Sequence, residues 1–99
     1  YQQQHEIDYY AKICNLSVYQ FIRNFKKATN LSPAKYIEKI RINKAKELLV
    51  DTNLTVNEIS GLVGYSDAFY FSKVFKKATN FAPTAFRASV KRKIEEMLD

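Results

Sequence analysis

The sequence predicts an all-α domain in which two helix-turn-helix units are joined by one long helix. Three observations carry that expectation. The string Phe25-Lys26-Lys27-Ala28-Thr29-Asn30 recurs unchanged as Phe75-Lys76-Lys77-Ala78-Thr79-Asn80. The match continues with Pro33 and Pro83, Tyr36 and Phe86, Phe21 and Phe71, and Arg23 and Lys73, so the chain holds two copies of one unit. Two copies are too few for a solenoid, and the reading is a pseudo-duplicated domain. Finally, 2 Gly and 2 Pro in 99 residues are too few for the tight turns of a sandwich or barrel.

The elements follow in order. In the first copy Ala11 is the small residue of one helix, Asn15 the turn residue and Ser17 the cap of the next helix, which turns Phe21 and Phe25 inward. Cys14 is expected to pack in the apolar stripe of the first of these helices. Tyr9 and Tyr10 are likewise read as packing residues, and His5 is given no role. Ser32 then caps a helix from Pro33 to about Val50, with Pro33 suited to its first turn. Tyr36, Ile37, Ile40, Ala45, Leu48 and Leu49 trace its apolar face. It is roughly 27 Å long at the usual rise per residue. Asp51-Thr52-Asn53 ends it as a polar turn.

In the second copy Thr55-Val56-Asn57-Glu58 has the form of a capping box, in which hydroxyl and carboxylate satisfy free amides at a helix start. Val56, Ile59, Leu62 and Val63 form one buried stripe, Ser60 is the small crossing residue, and Gly64 permits the positive φ of a tight turn. Ser66 or Asp67 caps the next helix, which carries Phe71, Val74 and Phe75 inward. A small residue followed by a tight turn lets two helices cross closely and steeply. A last short helix is expected from about Ser89 to Leu98. The divisions are thus 1–31, 32–51 and 52–99.

Composition narrows the function classes. A net charge of +6 favours a polyanionic partner, nucleic acid before a membrane surface. No apolar run approaches the roughly 18 residues of a membrane span. One Cys forms no internal disulfide and fits a reducing cytoplasm. With one His, one Cys and no Gly-rich phosphate loop, no nucleophile–base pair or metal cluster assembles, so neither enzymatic activity nor a cofactor is expected. The start at Tyr1 rather than Met suggests a piece of a longer protein. The alternative from another class is a basic helical module that binds acidic proteins, which explains the charge but not the repeated turn.

Val63-Gly64-Tyr65-Ser66-Asp67, then Tyr70-Phe71-Ser72-Lys73-Val74-Phe75-Lys76-Lys77, then Pro83 and Phe86-Arg87 resemble the DNA-binding domain of the AraC/XylS family of transcription regulators. Arg41-Ile42, Ala45 and Leu48-Leu49 resemble that family's linker helix, and the resemblance covers about residues 6–88. It implies a homeodomain-like, duplicated fold that binds double-stranded DNA as the output domain of a bacterial regulator. Three departures stand out. The family usually opens with a further helix, which here is expected to be mostly absent, with Tyr1 to Gln4 as its last turn at most. Asn30 and Asn80 stand where the family commonly has Gly. Ala82 replaces the Ser or Thr before the proline, a weaker cap by about 1 kcal/mol.

A recognition helix lies in the major groove with its N-terminal turns at the base edges. The resemblance and the helical wheel together assign base contacts to Tyr19, Ile22 and Arg23 in the first copy and to Ala68, Phe69, Ser72 and Lys73 in the second. Arg23 is the best base reader, because a guanidinium bonds O6 and N7 of guanine together. Tyr19, Ile22, Ala68 and Phe69 suit thymine methyl groups, with a core position as the lesser alternative for Tyr19, Ile22 and Phe69. Ser17, Lys26, Lys27, Lys76, Lys77 and Arg87 are assigned to phosphates, which position without reading sequence. The lysine pairs also suit helix C-termini, where cations meet the negative end of the dipole. The expected site is asymmetric and spans about two major grooves, and the isolated domain is expected to be monomeric. Family habit adds activation of transcription, contact with RNA polymerase, a dimeric full-length protein and a cytoplasmic, nucleoid-associated location.

Overall fold

The structure, a computed structural model, describes residues 2–98, with side chains from Glu6 onward. The described residues form six α-helices: α1 (Gln2–Ile13), α2 (Val18–Thr29), α3 (Pro33–Asp51), α4 (Val56–Leu62), α5 (Ala68–Thr79) and α6 (Pro83–Leu98). The chain divides into two compact units, Tyr1–Ile40 and Arg41–Asp99, with the boundary inside α3. Gln2 to Gln4, expected as the end of a separate opening helix, are the first turn of α1 itself, and Tyr1 lies outside the described residues.

Both units close their first turn in the same way. At the end of α1 the Leu16 N–H donates to the Ala11 carbonyl at 2.9 Å, and at the end of α4 the Tyr65 N–H donates to the Ser60 carbonyl at 2.9 Å. These six-to-one bonds require a left-handed residue just inside them. Asn15 supplies it at φ 58° and Gly64 at φ 103°. Ala11 and Ser60 are both buried, as a close helix crossing demands. The second loop is one residue longer before its cap: Ser17 caps α2, but Asp67 rather than Ser66 caps α5, its carboxylate accepting from the Phe69 N–H at 2.9 Å.

The copies also end alike. Asn30 and Asn80 are left-handed at φ 63° and 69°, and their N–H groups donate to the Lys26 and Lys76 carbonyls. Thr29 and Thr79 each donate to the carbonyl four residues back, at 2.9 Å, and receive the N–H two residues on. Ring contacts repeat as well. Phe21–Phe25 and Phe71–Phe75 both lie 5.8 Å apart, and the edge-on pairs Phe25–Tyr36 and Phe75–Phe86 lie 5.3 and 5.4 Å apart.

The core of the second unit gathers Ile42, Ala45 and Leu49 of α3, Ile59 and Val63 around α4, Tyr65, and Phe71 and Phe75 of α5. Buried Arg41 lies over the Tyr65 ring, 5.5 Å from its centroid, and against Gly64, where an added Cβ would stand 3.0 Å from the arginine Nε. Six residues expected to pack are exposed instead. Leu62 is 67% exposed, Tyr36 and Ile40 are exposed, and Cys14, just past the end of α1, is exposed too. Tyr9 and Tyr10 are exposed and pack edge-on against each other at 5.4 Å. Periodicity marks a face, but whether anything covers that face is set by other elements. The last helix is longer than expected: it starts at Pro83, whose missing N–H costs nothing in a first turn, and not near Ser89. Among the described residues, no helix is long and apolar enough to cross a membrane.

Candidate nucleic-acid interface

The second helix of each motif, α2 or α5, carries the assigned side chains except Ser17, the N-cap of α2, and Arg87, which lies on α6. The Ser17 hydroxyl accepts the Gln20 N–H at 3.1 Å while the Gln20 side chain takes the Ser17 N–H at 3.2 Å, so α2 begins with a complete capping box. The Ser17 hydroxyl also donates to Gln20 Oε1 at 3.3 Å, so the side chain assigned to phosphate is engaged within the cap.

Beyond that cap, the inward face of α2 carries half-buried Phe21 and Phe25, and the outward face carries exposed Tyr19, Arg23, Lys26 and Lys27. Tyr19 is 71% exposed, which removes it from the core. Its ring lies beneath the Arg23 guanidinium, with Cζ 5.8 Å from the centroid. Ile22 is half-buried, on the border between the two faces.

On α5 the division is sharper. Phe71 and Phe75 are 0% exposed, whereas Phe69 is 84% exposed, a large apolar ring held in solvent on the first turn. Lys73, Lys76 and Lys77 are exposed beside it, and Ala68 and Ser72 are half-buried. A ring that is 84% exposed lies outside the core, so the outward reading of Phe69 stands over the core reading.

Arg87 does not belong to this face. It projects from α6, and its Nε donates to the Leu49 carbonyl at 2.9 Å while Nη2 donates to the carbonyls of Leu54 at 2.6 Å and Thr52 at 3.3 Å. The guanidinium caps the C-terminal end of α3 and the strand of chain leading to α4, where helix carbonyls lack intrahelical partners. Its assignment to phosphate is corrected accordingly: the side chain is committed inside the protein. These bonds span 33 to 38 residues in sequence, so no local pattern announces them.

Among the described residues no group of three His, Cys, Asp or Glu is placed to hold a metal ion. The outward faces of α2 and α5 offer cations and exposed rings, with the Ser72 hydroxyl at the border, a set suited to phosphates and base edges.

Comparison with known proteins agrees with the helix-turn-helix fold. The family described as "Helix-turn-helix domain" matches residues 10–89. The MmsAB operon regulatory protein of Pseudomonas aeruginosa is 32% identical over 87 residues, which are 88% of this chain and 28% of that protein. The chain thus spans about a third or less of the curated relatives it matches first. The C-terminal domain of the two-component response regulator yesN from Fusobacterium nucleatum superposes with a TM-score of 0.80 at 32% identity, covering 82% of this chain and 79% of that one. The DNA-binding domain of AdpA, solved with a target DNA, shares the fold at a TM-score of 0.84 and 23% identity, covering 88% of this chain and 78% of that one. The chain belongs to the AraC/XylS family of helix-turn-helix transcription regulators.

Proposed function

We propose that this domain binds double-stranded DNA sequence-specifically, with α2 and α5 as recognition helices, as the output domain of a longer bacterial regulator. The observation that carries the reading is the duplication of one outward face. Each helix buries or half-buries its Phe pair and exposes an aromatic residue, a cation four residues on, and a Lys-Lys pair at its C-terminal end. Arg23 reads guanine, Tyr19 and Phe69 meet thymine methyl groups, Lys73 and Ser72 bond base edges, and Lys26, Lys27, Lys76 and Lys77 neutralise phosphates. Ile22 and Ala68 border the groove. Two such motifs in one chain need no two-fold axis, so the site is asymmetric, with half-site centres about 10 base pairs apart.

Selection of bound sites from random duplex DNA tests this directly, and an asymmetric two-part consensus is expected. Arg23→Ala should relax preference at one or two positions and cost about 1–3 kcal/mol, while Lys27→Ala weakens all duplexes alike and flattens the salt slope. Inserting about 5 base pairs between the half-sites turns the second groove to the far face and abolishes two-motif binding. Equal affinity for duplex DNA, single strands and RNA would instead favour a general basic module for acidic partners.

A further inference from the structure

We propose that Tyr19 is a positioning residue for Arg23, so that the first recognition helix meets DNA with its guanidinium already held while the second arrives with a free Lys73. The inference deepens the reading of Arg23 as a guanine contact and rests on it. Residues four apart on a helix are neighbours, and long helical side chains lean toward the N-terminus. Arg23 therefore reaches back toward the first turn of α2, where Tyr19 stands. The structure places its Cζ 5.8 Å from the centre of the Tyr19 ring, within the range of a cation–π contact.

Both side chains are exposed, so the ring serves neither the core nor the cap. An unrestrained arginine on a surface samples many rotamers and must lose them when it docks. A ring against the guanidinium removes part of that freedom beforehand. The ring contacts the guanidinium through its charge and accepts none of its N–H groups in a conventional hydrogen bond, so the donors that fork onto O6 and N7 of guanine are not used up by it. At the same register α5 has Phe69 and Lys73, which make no such contact among the described residues. Lysine is a point charge with rotatable donors and lacks the planar fork. The first half-site is accordingly read more strictly at its guanine than any base read by Lys73.

The test compares wild type, Tyr19→Phe, Tyr19→Leu and Arg23→Ala. Two readouts are used: relaxation of the Arg23 Nε–H group in the free protein, and the affinity ratio between the selected site and the same site with its guanine replaced. Tyr19→Leu should raise the mobility of the Arg23 Nε–H and lower the guanine preference about two- to fivefold, the range of an exposed cation–π contact. Tyr19→Phe keeps the ring and should match wild type in both. If Tyr19→Leu changes neither readout while Arg23→Ala abolishes the preference, the positioning role is overturned and the guanine contact stands. If Arg23→Ala leaves the preference intact, the guanine contact itself falls, whatever the relaxation shows. A loss in Tyr19→Phe as large as in Tyr19→Leu would assign the effect to the hydroxyl and overturn the proposal.

Discussion

The two units share a hexapeptide, a first turn, a C-terminal cap and a pair of ring contacts, yet they differ in what they bury. Phe71 and Phe75 have no exposed surface, while Phe21 and Phe25, at the same geometry to each other, are only half-buried, and α2 contains no buried residue at all. Local structure is dictated locally, because left-handed Asn30 and Asn80 and the threonine bonds of Thr29 and Thr79 need only their own neighbours. Burial is not, because it depends on which other elements arrive. In the second unit α6 brings half-buried Phe86 against Phe75 and brings Arg87 to the carbonyls ending α3. In the first, the start of α3 brings exposed Tyr36 to the same place, and Ile37 stands at the register of Arg87.

The largest expected effect follows from that contrast. Phe75→Ala removes a fully buried ring and should cost about 3–5 kcal/mol, whereas Phe25→Ala, at the identical place in the repeat, should cost less than half as much. Denaturant titration of the two variants measures this. Hydrogen exchange on the wild type supplies a companion reading: amides in 8–25 should be less protected than those in 56–75, since opening is easier where fewer apolar contacts hold the helix. Equal losses in the two variants, or equal protection, would mean that the half-exposed rings of α2 contribute as much as the buried ones.

Arg87 gives the next effect. Removing it leaves three carbonyls at the end of α3 and before α4 without their charged donor, and Arg87→Ala should destabilise the second unit by about 2–3 kcal/mol. Arg87→Lys should not restore it, because an ammonium cannot bond Leu49, Thr52 and Leu54 together in the geometry of a planar fork. Well below the melting temperature, both variants should keep the wild-type salt slope of DNA binding. A slope reduced by about one unit would return Arg87 to the phosphate contacts.

These cases show what the sequence could and could not disclose. The capping box at Thr55, the cap at Ser17, the positive φ at Asn15 and Gly64 and the inward Phe pairs were legible because each depends on residues within one or two turns, while the cap of α5 was narrowed only to Ser66 or Asp67. The exposure of Tyr19, Arg23, Lys26, Phe69, Lys73 and Lys76 was legible for the same reason, since wheels fixed by Phe21 and Phe25 and by Phe71 and Phe75 leave one opposite face, whereas Ile22, Ala68 and Ser72, also placed outward, are half-buried. Leu62, Ile40 and Cys14 were misjudged because an apolar stripe is the same whether or not a second element covers it. Arg87 was misassigned because its partners lie in a distant helix, and a surface arginine in a basic chain reads as a phosphate ligand by default.

The smallest effect separates the units by pH. Among the described residues each carries one capping box, Ser17–Gln20 on α2 and Thr55–Glu58 on α4, but only the second contains an ionisable group. The Glu58 carboxylate accepts the Thr55 N–H at 3.0 Å, and that backbone bond, followed by the Thr55 side chain, holds its pKa below the ordinary value of 4.5. A carboxyl with a depressed folded-state pKa stabilises the fold above its unfolded pKa, and the contribution disappears as the pH falls through the folded value. The cap of α4 should therefore weaken below about pH 4.5, while the Gln20 cap of α2 does not change. Glu58→Gln keeps the hydrogen bond and removes the titration, so its stability between pH 6 and pH 3 should fall less steeply than that of wild type, by a small margin because the group is fully exposed. The amide shifts of Thr55 and Glu58, followed by NMR across that range, should move in wild type and stay flat in the variant. Movement of the Ser17 and Gln20 amides over the same range would show that the two boxes are not independent.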